Sequence, residues 1–310
     1  MNKSLHPCGV IFLDKPKGWS SRQAVNRVIH LFAKPEQKNR RRRLKAGHTG
    51  TLDPLATGML PILLGDATRF SDMGLSAQKS YEVTFDLSFQ TETLDLEGEV
   101  TSRFEHVGVT QAELESILQG FQGKQLQVPP VYSAIRVGGK RAHVKVRCGE
   151  HVQLSPREVE VYRIQLLAFE GSKVTMEVDC SKGTYIRALV RDIGLALGYG
   201  GCVTDLRRTS TGGWSTQMMV TPADLEEKKE ACILPLRLWL KDLPSVELTA
   251  VEAKRFVQGQ RLPWVNEMEN QALCCIVYDD LVLGTAIYQQ KGRGVLQPKH
   301  VLPSVQEMLR

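Results

Sequence analysis

Alternation of apolar and polar residues predicts strands in well-separated parts of the chain. Apolar side chains occupy every second position from Tyr81 to Phe89, which is typical of a strand with one buried face. The stretch from Val161 to Cys180 predicts a hairpin that turns at Gly171-Ser172. The apolar run from Gly9 to Leu13 predicts a short buried strand, which ends where Lys15-Pro16-Lys17-Gly18 favours a turn. Together these segments predict a largely antiparallel sheet.

Apolar residues spaced three and four positions apart predict two helices beside this sheet. The first helix follows Ser20 or Ser21, either of which can cap it, and ends near Pro35. The second helix runs from Thr184 to Leu197 and directly follows the hairpin. The residues on the two buried faces are Val25, Val28, Ile29 and Phe32, and Ile186, Leu189, Val190, Ile193 and Leu197. A strand, a glycine turn and a helix in succession commonly frame a functional site.

The pattern changes after Leu243-Pro244, which predicts a domain boundary at residue 244. Beyond it lie a helical segment from Ala250 to Val257, several glycine and proline turns, and a strand pair around Asp279-Asp280. A chain of 310 residues has room for one large and one small domain. We therefore predict an α+β fold, with a central, mainly antiparallel mixed sheet flanked by helices in residues 1–244 and a small β-rich domain in residues 245–310.

Composition argues against the membrane, secreted and metal-dependent classes. The chain has 42% apolar and 24% charged residues and no long unbroken apolar run, which predicts a soluble globular protein. Its N-terminal region lacks the apolar segment of a secretory signal. The seven cysteines are odd in number and include no Cys-x-x-Cys pair, which is typical of reduced thiols in the cytoplasm. Because no His or Cys cluster has metal-ligand spacing, we expect no metal site.

Positive charge is concentrated in the segment KNRRRRLK at residues 38–45, which we call the basic loop. It contains the consecutive arginines Arg40, Arg41, Arg42 and Arg43, and its cations could neutralise several phosphates of a polyanion. The net charge of +6 is modest, so the distribution of charge carries more information than the total. The basic loop stops just before Gly47-His48, which favours contact with RNA. A solvated loop without a ligand is the alternative.

The segment GHTGTLDPLATG, from Gly47 to Gly58, is predicted to be an irregular loop because it contains three glycines and a proline. Loops that are held by a rigid scaffold often carry functional sites. Asp53 precedes Pro54, which biases the aspartate backbone toward an extended conformation and can hold the carboxylate clear of neighbouring peptide groups. Such a carboxylate can act as a nucleophile or a base. An aspartate that only caps its own turn is the alternative.

The longer segment GHTGTLDPLATGMLP resembles the signature of the TruB family of tRNA pseudouridine synthases. Other motifs of that family occur in the same order along the chain. They are DKPKGWSS (14–21), Lys79-Ser80-Tyr81, Pro130-Val131-Tyr132-Ser133-Ala134, CSKGTYIRALVRDIG (180–194) and Leu206-Arg207-Arg208. The resemblance implies a pseudouridine synthase-like core and the isomerisation of uridine 55 in the T loop of tRNA, a reaction that uses no cofactor.

The resemblance also implies roles for individual residues. Asp53 is expected to be the catalytic residue, either adding to the uracil ring or attacking the anomeric carbon of the ribose, and Arg187 to pair with it. The target base must leave the RNA stack, and Tyr81 is expected to stack on it. The other residues expected near the flipped base and the RNA loop are Tyr185, Leu206, His48 and Asp95. In the alternative interpretation Arg187 is an exposed helix-face residue, and Tyr81 and His48 are structural.

At a few positions the chain departs from the family pattern. Near Asp95, Ser88 replaces a usual glycine and Glu92 replaces a usual aspartate. Within the cationic insertion at about residues 128–154, Arg136 and His143 stand where lysine and tyrosine are frequent. The insertion keeps its cationic character, so a role in gripping the phosphates of the tRNA arm is still predicted. The cations expected to contact RNA, besides those of the basic loop, are Lys15, Arg136, Lys140, Arg141 and Lys182.

The small domain at residues 245–310 resembles a PUA-like RNA-binding domain, and a module that only packs against the core is the alternative. The expected partner is the T-arm of tRNA, with no membrane and no protein partner, for a monomer that acts in the cytoplasm. Two further functions stay open at this point. One is a guide-RNA-dependent pseudouridine synthase of a ribonucleoprotein particle, and the other is a tRNA-folding chaperone in which catalysis is secondary.

Overall fold

The computed structural model describes residues 7–33, 44–133, 135–266, 268–290 and 294–309. Its strands are β1 (Gly9–Lys15), β2 (Ala46–His48), β3 (Thr57–Leu64), β4 (Lys79–Asp86), β5 (Phe89–Thr91), β6 (Val100–Arg103), β7 (Gly123–Gln127), β8 (Arg136–Val137), β9 (Lys140–Arg141), β10 (Arg157–Glu170), β11 (Lys173–Cys180), β12 (Cys202–Thr211), β13 (Ser245–Glu247), β14 (Leu262–Pro263), β15 (Leu273–Tyr278), β16 (Leu281–Gln289) and β17 (Val295–Val301). Its helices are α1 (Ser21–Phe32), α2 (Ser71–Ser76), α3 (Gln111–Gly120), α4 (Ala142–Arg147), α5 (Ile186–Ala196), α6 (Pro222–Lys228), α7 (Leu236–Trp239), α8 (Ala250–Val257) and α9 (Pro303–Leu309).

A mixed sheet of eight strands forms the centre of the molecule. Its order is β1-β3-β12-β4-β11-β10-β7, and β2 pairs with the end of β3 on the edge opposite β1. Strands β3 and β12 run parallel, and the other paired strands of this sheet are antiparallel. The α+β fold with a central, mainly antiparallel mixed sheet is therefore confirmed. The predicted hairpin is β10–β11, which turns at Gly171-Ser172 as expected.

The strands β1 and β3 are buried on both faces. Ile11 and Leu13 of β1 pack in the same core as α1, α3 and α5. Val10 and Phe12, which point the other way, pack in a second core with residues of the C-terminal domain. This is why the run from Gly9 to Leu13 is continuously apolar instead of alternating.

The two predicted helices form with small differences at their ends. Helix α1 begins at Ser21 because Ser20 accepts a hydrogen bond from the backbone of Gln23, whose side chain accepts one from the Ser20 backbone in return. Helix α5 begins at Ile186, two residues later than the sequence predicts. The reason is that Thr184 donates its hydroxyl to the carbonyl of Ser181, and this bond belongs to the preceding turn.

The C-terminal domain contains a five-stranded sheet with the order β13-β15-β16-β17-β14. Helix α8 has the predicted bounds, and β15 and β16 join at Asp279-Asp280. Both aspartates have positive φ angles, 48° and 61°, as a tight two-residue hairpin turn requires. The domain shares a core with β1 and β3, so it packs directly against the back of the central sheet.

The cationic insertion contains more regular structure than its sequence predicts. Strands β8 and β9 form a two-stranded ribbon, and α4 follows at once. Val144 is 42% exposed, whereas Ile135, Ala142 and Val152 are buried, so apolar packing accounts for only part of the order of this segment. The short ribbon relies on backbone hydrogen bonds, which leave no periodic apolar signal in the sequence.

Gly58 lies where β3 meets β12, and its replacement by alanine is expected to destabilise the fold. Its φ angle is +93°, and a β-carbon there would overlap with the backbone carbonyl of Arg208. We expect Gly58→Ala to lower the free energy of unfolding by roughly 3 kcal/mol, since backbone strain and overlap combine. Chemical denaturation of Gly171→Ala is the matched control, because Gly171 also has a positive φ but no atom within 4 Å of the added carbon. Equal losses in the two variants would contradict the overlap argument.

Candidate active site

The loop of residues 49–56, which carries Asp53, is held from both sides by the segment that leads into α1. The Ser21 hydroxyl donates to the Leu52 carbonyl at 2.9 Å and accepts from the Leu52 amide at 2.8 Å. The Gly18 amide donates to the carbonyl of Pro54 at 2.8 Å. Leu52 and Pro54, the residues on either side of Asp53, are therefore held by hydrogen bonds to their backbone groups. These bonds restrict the directions that the Asp53 side chain can take.

The Asp53 carboxylate points at Arg187 of α5. Oδ2 of Asp53 lies 2.9 Å from Nε of Arg187, and the Asp53 side chain remains 35% exposed. The turn of the loop is closed by backbone groups, with the Ala56 amide donating to the Asp53 carbonyl at 3.1 Å. The carboxylate is thus paired with Arg187 and open to solvent at the same time. This arrangement supports the chemical interpretation of Asp53 over the turn cap.

Arg187 is buried and bound on every side. Its Nη1 lies 3.3 Å from Oδ2 of Asp95 and donates to the carbonyl of Thr93 at 2.6 Å, while Nη2 donates to the carbonyl of Tyr132 at 3.0 Å. Only 6% of its side chain is exposed, so the alternative of an exposed helix-face arginine is wrong. The guanidinium joins two carboxylates and two backbone carbonyls into one rigid group.

Asp95 stands behind Arg187 and is almost fully buried. Its Oδ1 accepts the Thr93 hydroxyl at 2.5 Å and the Glu97 amide at 3.0 Å. Glu92, which stands where the family usually has an aspartate, does not disturb the contacts of Asp95. Glu92 faces outward and accepts a hydrogen bond from the Tyr132 hydroxyl at 3.0 Å. The fold thus brings the side chains of Asp53, Arg187 and Asp95 together, as expected from the sequence.

A cavity of about 250 Å³ opens beside Asp53. The expected pocket residues Tyr81, Tyr185 and Leu206 line it together with Arg187. Burial raises the pKa of Tyr81 and the pKa of Tyr185, so both phenols are neutral at physiological pH. Tyr185 is fixed by its backbone amide, which donates to the side chain of Gln127 at 2.9 Å. The cavity combines flat rings, an aliphatic wall and one accessible carboxylate.

Lys15 does not have the RNA-binding role that we expected. Its side chain is fully buried, and its ammonium donates to the carbonyls of Pro16 at 3.0 Å and Trp19 at 2.6 Å. Burial lowers the pKa of Lys15 to about 8, and the charge of Asp53 opposes that change. A cation enclosed in this way has no contact to offer a phosphate. Lys15 instead fixes the turn that holds the loop of Asp53.

Two further cations of the cavity, Lys79 and Arg208, were assigned no role from the sequence. Lys79 donates to the carbonyls of Gly74, Leu75 and Ala77 at 2.9, 3.1 and 2.6 Å, and so closes the C-terminal end of α2. Arg208 is 1% exposed and lies on the same face of β12 as Leu206. Alternation along the motif Leu206-Arg207-Arg208 would have placed these two side chains together.

The buried ammonium of Lys79 predicts a characteristic dependence of stability on pH. Burial lowers the pKa of Lys79 to about 8, and the positive charge of Arg208 acts in the same direction. Between pH 8 and about 10.4 the unfolded chain therefore binds a proton that the folded protein lacks. The free energy of unfolding consequently rises with pH in this window, by at most about 1.4 kcal/mol per pH unit. We expect wild type to gain stability relative to Lys79→Met across the window in denaturant titrations, and parallel curves would contradict the assignment.

His48 lies outside the cavity of Asp53. It lines a neighbouring groove with Arg22, Lys45 and Ser71, and Leu75 borders both the groove and the cavity. Burial lowers the pKa of His48, and the charge of Arg208 lowers it further, so the imidazole is neutral at pH 7. Its place next to the cavity mouth is compatible with the predicted contact to the RNA loop.

Of the other cations expected to bind RNA, only some have side chains that the structure describes. Arg136 and Lys182 are exposed, and Lys182 adjoins Gly183 at the cavity edge. Arg40, Arg41, Arg42 and Arg43 lie outside the described residues, and so do the side chains of Lys140 and Arg141. In the described parts of the chain, no group of His, Cys, Asp and Glu is arranged to hold a metal ion, and no helix is long and apolar enough to cross a membrane.

Family models match residues 38–302 of the chain with a gap of only two residues. Residues 38–186 match the model of the TruB family pseudouridylate synthase N-terminal domain. Residues 187–241 match the tRNA pseudouridylate synthase B C-terminal domain, and residues 244–302 match a model described as pseudouridine synthase II TruB, C-terminal. The boundary between the last two matches falls beside the one predicted at residue 244.

Individual proteins are similar over the same extent. The tRNA pseudouridine synthase B of Ralstonia pickettii is 42% identical, covering 95% of this chain and 94% of its own. That of Methylobacillus flagellatus is 40% identical, covering 95% of both chains. Among solved structures, a chain in the crystal structure of a Cbf5-Nop10-Gar1 complex has a TM-score of 0.70 and 27% identity, covering 95% of this chain and 84% of the other. A chain in the structure of an H/ACA RNP bound to a substrate RNA has the same TM-score at 25% identity.

Proposed function

The chain belongs to the TruB family of pseudouridylate synthases, and from that premise we propose that Asp53 carries out the isomerisation of uridine 55 to pseudouridine in the T loop of tRNA. The observation that carries this proposal is the Asp53 carboxylate, which is paired with Arg187 at 2.9 Å yet remains 35% exposed at the edge of a cavity. The family resemblance drawn from the ordered motifs is confirmed, and the chain is a pseudouridine synthase.

The reaction exchanges one bond of the nucleoside for another. The bond from the ribose anomeric carbon to N1 of uracil breaks, the base turns, and a bond from the same carbon to C5 forms. The proton that C5 loses is balanced by the proton that N1 gains, so the isomerisation needs no oxidant or reductant. In this scheme Asp53 makes a temporary bond, either to C6 of the ring or to the anomeric carbon. Both routes need a carboxylate in a fixed position beside the base.

The walls of the cavity suit a flipped uracil. Taking the base out of the RNA stack costs a few kcal/mol, which stacking on Tyr81 can offset. Tyr185 and Leu206 face the same space, so they can close around the base once it has entered. Arg187 pairs with Asp53, and Asp95 pairs with Arg187 from behind, so together they fix the direction of the Asp53 carboxylate at the cavity edge. The positions of these side chains around the cavity support the roles proposed for them.

The comparisons favour a stand-alone enzyme over a guide-RNA-dependent one. Relatives named tRNA pseudouridine synthase B are 39 to 44% identical, whereas the Cbf5 chains are 24 to 27% identical. We propose that the protein acts on tRNA without a protein partner, as a monomer in the cytoplasm. A tRNA-folding role is a compatible second function, because entry into the T loop must loosen its tertiary contacts. A PUA-like RNA contact by the C-terminal domain stays a prediction.

A direct assay tests the function. Purified protein is incubated with a tRNA transcript that carries tritium on C5 of its uridines, and tritium release is measured without any guide RNA. We expect about one equivalent of tritium per tRNA, and none from a transcript with cytidine at position 55. Release that depends on an added guide RNA, or release from the cytidine transcript, would show that the proposed substrate is wrong.

The basic loop is expected to contribute phosphate contacts. Replacing Arg40, Arg41, Arg42 and Arg43 with glutamine removes up to four such contacts. The slope of log affinity against log salt for tRNA should then become shallower by roughly 3, because fewer counterions are released on binding. Fluorescence titrations at several salt concentrations measure the slope. An unchanged slope would support the alternative of a solvated loop without a ligand.

A further inference from the structure

Gln127, the last residue of β7, is a buried amide side chain that binds the backbone of a residue in the cavity wall. Only 2% of Gln127 is exposed. Its Oε1 accepts a hydrogen bond from the Tyr185 amide at 2.9 Å, and its Nε2 donates to the Tyr185 carbonyl at 3.2 Å. The side chain thus engages both polar backbone groups of one residue, as a residue of a neighbouring strand would. Two bonds to the same residue restrict its backbone more than a single bond does.

Tyr185 stands at the junction between an exposed turn and α5. It is the N-cap of the helix, with φ and ψ angles of −96° and 110°, and its side chain makes no capping hydrogen bond. Gly183, two residues earlier, is exposed and has a φ angle of +80°. Helix α5 engages the carbonyl of Tyr185 through the Leu189 amide at 3.0 Å, whereas the Tyr185 amide is bound by Gln127. The direction in which the Tyr185 ring leaves the backbone thus depends on a residue 58 positions earlier in the chain.

Strand β7 is held in the sheet without this contact. Its backbone pairs with β10 along the whole strand, from Gly123 to Gln127. Gln125, which lies on the same face two residues earlier, makes a local bond instead, because its Nε2 donates to the Phe121 carbonyl at 2.7 Å. A glutamine on this face therefore does not need to reach α5. The contact of Gln127 is directed at Tyr185, which lines the cavity of Asp53.

The proposed reaction places a strict demand on the wall of the cavity. The base turns between the cleavage of one bond and the formation of the other, so a ring that closes around it must keep its direction while the base moves. A displacement of about 1 Å can lower a rate by roughly 10²-fold. We propose that Gln127 is a positioning residue for the reaction, which holds the backbone of Tyr185 so that its ring stays against the uracil. This inference rests on the proposed function and extends it to a residue that does not line the cavity.

Gln127→Met tests this role, because methionine fills a similar volume and offers no amide to the backbone of Tyr185. We expect kcat for tritium release to fall roughly 10- to 100-fold, while KM and tRNA affinity stay within about 3-fold of wild type. Gln125→Met is the matched control, since it removes a side-chain hydrogen bond that stays within residues 121–125, and it should keep the wild-type kcat. Equal values of kcat in the two variants, or a loss confined to KM, would overturn the proposal.

A double-mutant cycle separates positioning of the ring from general damage to α5. Tyr185→Ala removes the ring and keeps the backbone groups that Gln127 binds. Once the ring is absent, Gln127→Met should lower kcat by no more than about 2-fold further, because the two residues act through the same contact with the base. Damage that spreads through the helix would instead lower kcat by the full factor again. An additive loss would therefore overturn the proposal.

Gln127→Asn covers the case in which Gln127→Met does not fold. It keeps the amide group but shortens the side chain by one methylene, so at most one of the two hydrogen bonds can form. Its kcat should fall by about 3- to 10-fold, and a wild-type kcat would overturn the proposal. Wild type that releases no tritium from tRNA would refute the proposed function, whereas active wild type with unaffected variants would refute only the role of Gln127.

Discussion

Asp53→Asn is expected to abolish tritium release from tRNA, with a rate at least about 10⁴-fold below wild type. An amide can neither add to the uracil ring nor attack the ribose, so no covalent route remains. The asparagine oxygen can still accept a hydrogen bond from Nε of Arg187, which lies 2.9 Å from the carboxylate in the wild-type structure. The fold and the shape of the cavity should therefore persist. Single-turnover tritium release measures the rate, and filter binding measures tRNA affinity.

The comparison becomes decisive with a matched control. Asp242 is exposed and does not line the cavity, so Asp242→Asn makes the same chemical change outside the site. We expect the control to have wild-type rate and affinity, and Asp53→Asn to keep its affinity within about 3-fold while losing the reaction. If Asp53→Asn turned over at a normal rate, the assignment of the catalytic residue would be wrong. Loss of tRNA binding together with activity would instead point to a role of Asp53 in recognition.

The sequence predicted those parts of the fold that depend on local patterns. Alternation from Tyr81 to Phe89 identified the buried face of β4, where Tyr81 contributes to the cavity and Phe85 to the core, but β4 ends at Asp86 and Phe89 begins β5. Helical spacing after Ser20 identified α1 and its cap within one residue. Glycine at Gly171 identified the turn of the β10–β11 hairpin. In each case the deciding interactions lie within a few residues of each other, so a short window contains them.

Features that depend on distant partners could not be predicted in this way. Lys15 was assigned to RNA because lysines are usually exposed, but the fold encloses it beside the loop of Asp53. Arg208 interacts with the carbonyls of Gly50 and Met59, which lie about 150 residues earlier in the chain. No local pattern marks a long-range contact of a side chain with a backbone carbonyl. The motif resemblance identified Asp53 and Arg187, whereas their exact contacts required the tertiary structure.

In the C-terminal domain, too, the local features were predicted and the long-range packing was not. A change in sequence pattern predicted its boundary, and α8 has the predicted bounds. The shared core with Val10 and Phe12 was not predicted, because a continuously apolar strand does not reveal what covers each of its faces. As a result, the back of the two strands next to the loop of Asp53, β1 and β3, is covered by a domain that is distant in sequence.

Arg187→Lys is expected to have the second largest effect, with kcat about 10² to 10³ times lower than wild type. Arg187 spans two carboxylates, with Nε on Asp53 and Nη1 on Asp95 at 3.3 Å. A lysine ammonium is a single point of charge and cannot bridge both groups, nor can it also reach the carbonyls of Thr93 and Tyr132. Asp53 should lose its fixed orientation, and Asp95 would be left buried without its partner. Rapid-quench kinetics and thermal denaturation measure the two consequences.

Two controls separate orientation of Asp53 from general damage. Arg191 lies one helical turn from Arg187, outside the cavity, where it pairs with Asp192 and donates to the carbonyl of Val128 at 2.9 Å, so Arg191→Lys should keep the wild-type rate with at most a small loss of stability. Adding Asp95→Asn to Arg187→Lys removes the unpaired buried carboxylate. The double variant should then regain stability relative to Arg187→Lys while kcat stays low, because Asp53 remains unsupported. If kcat recovered together with stability, Arg187 would serve the fold instead of the orientation of the catalytic carboxylate.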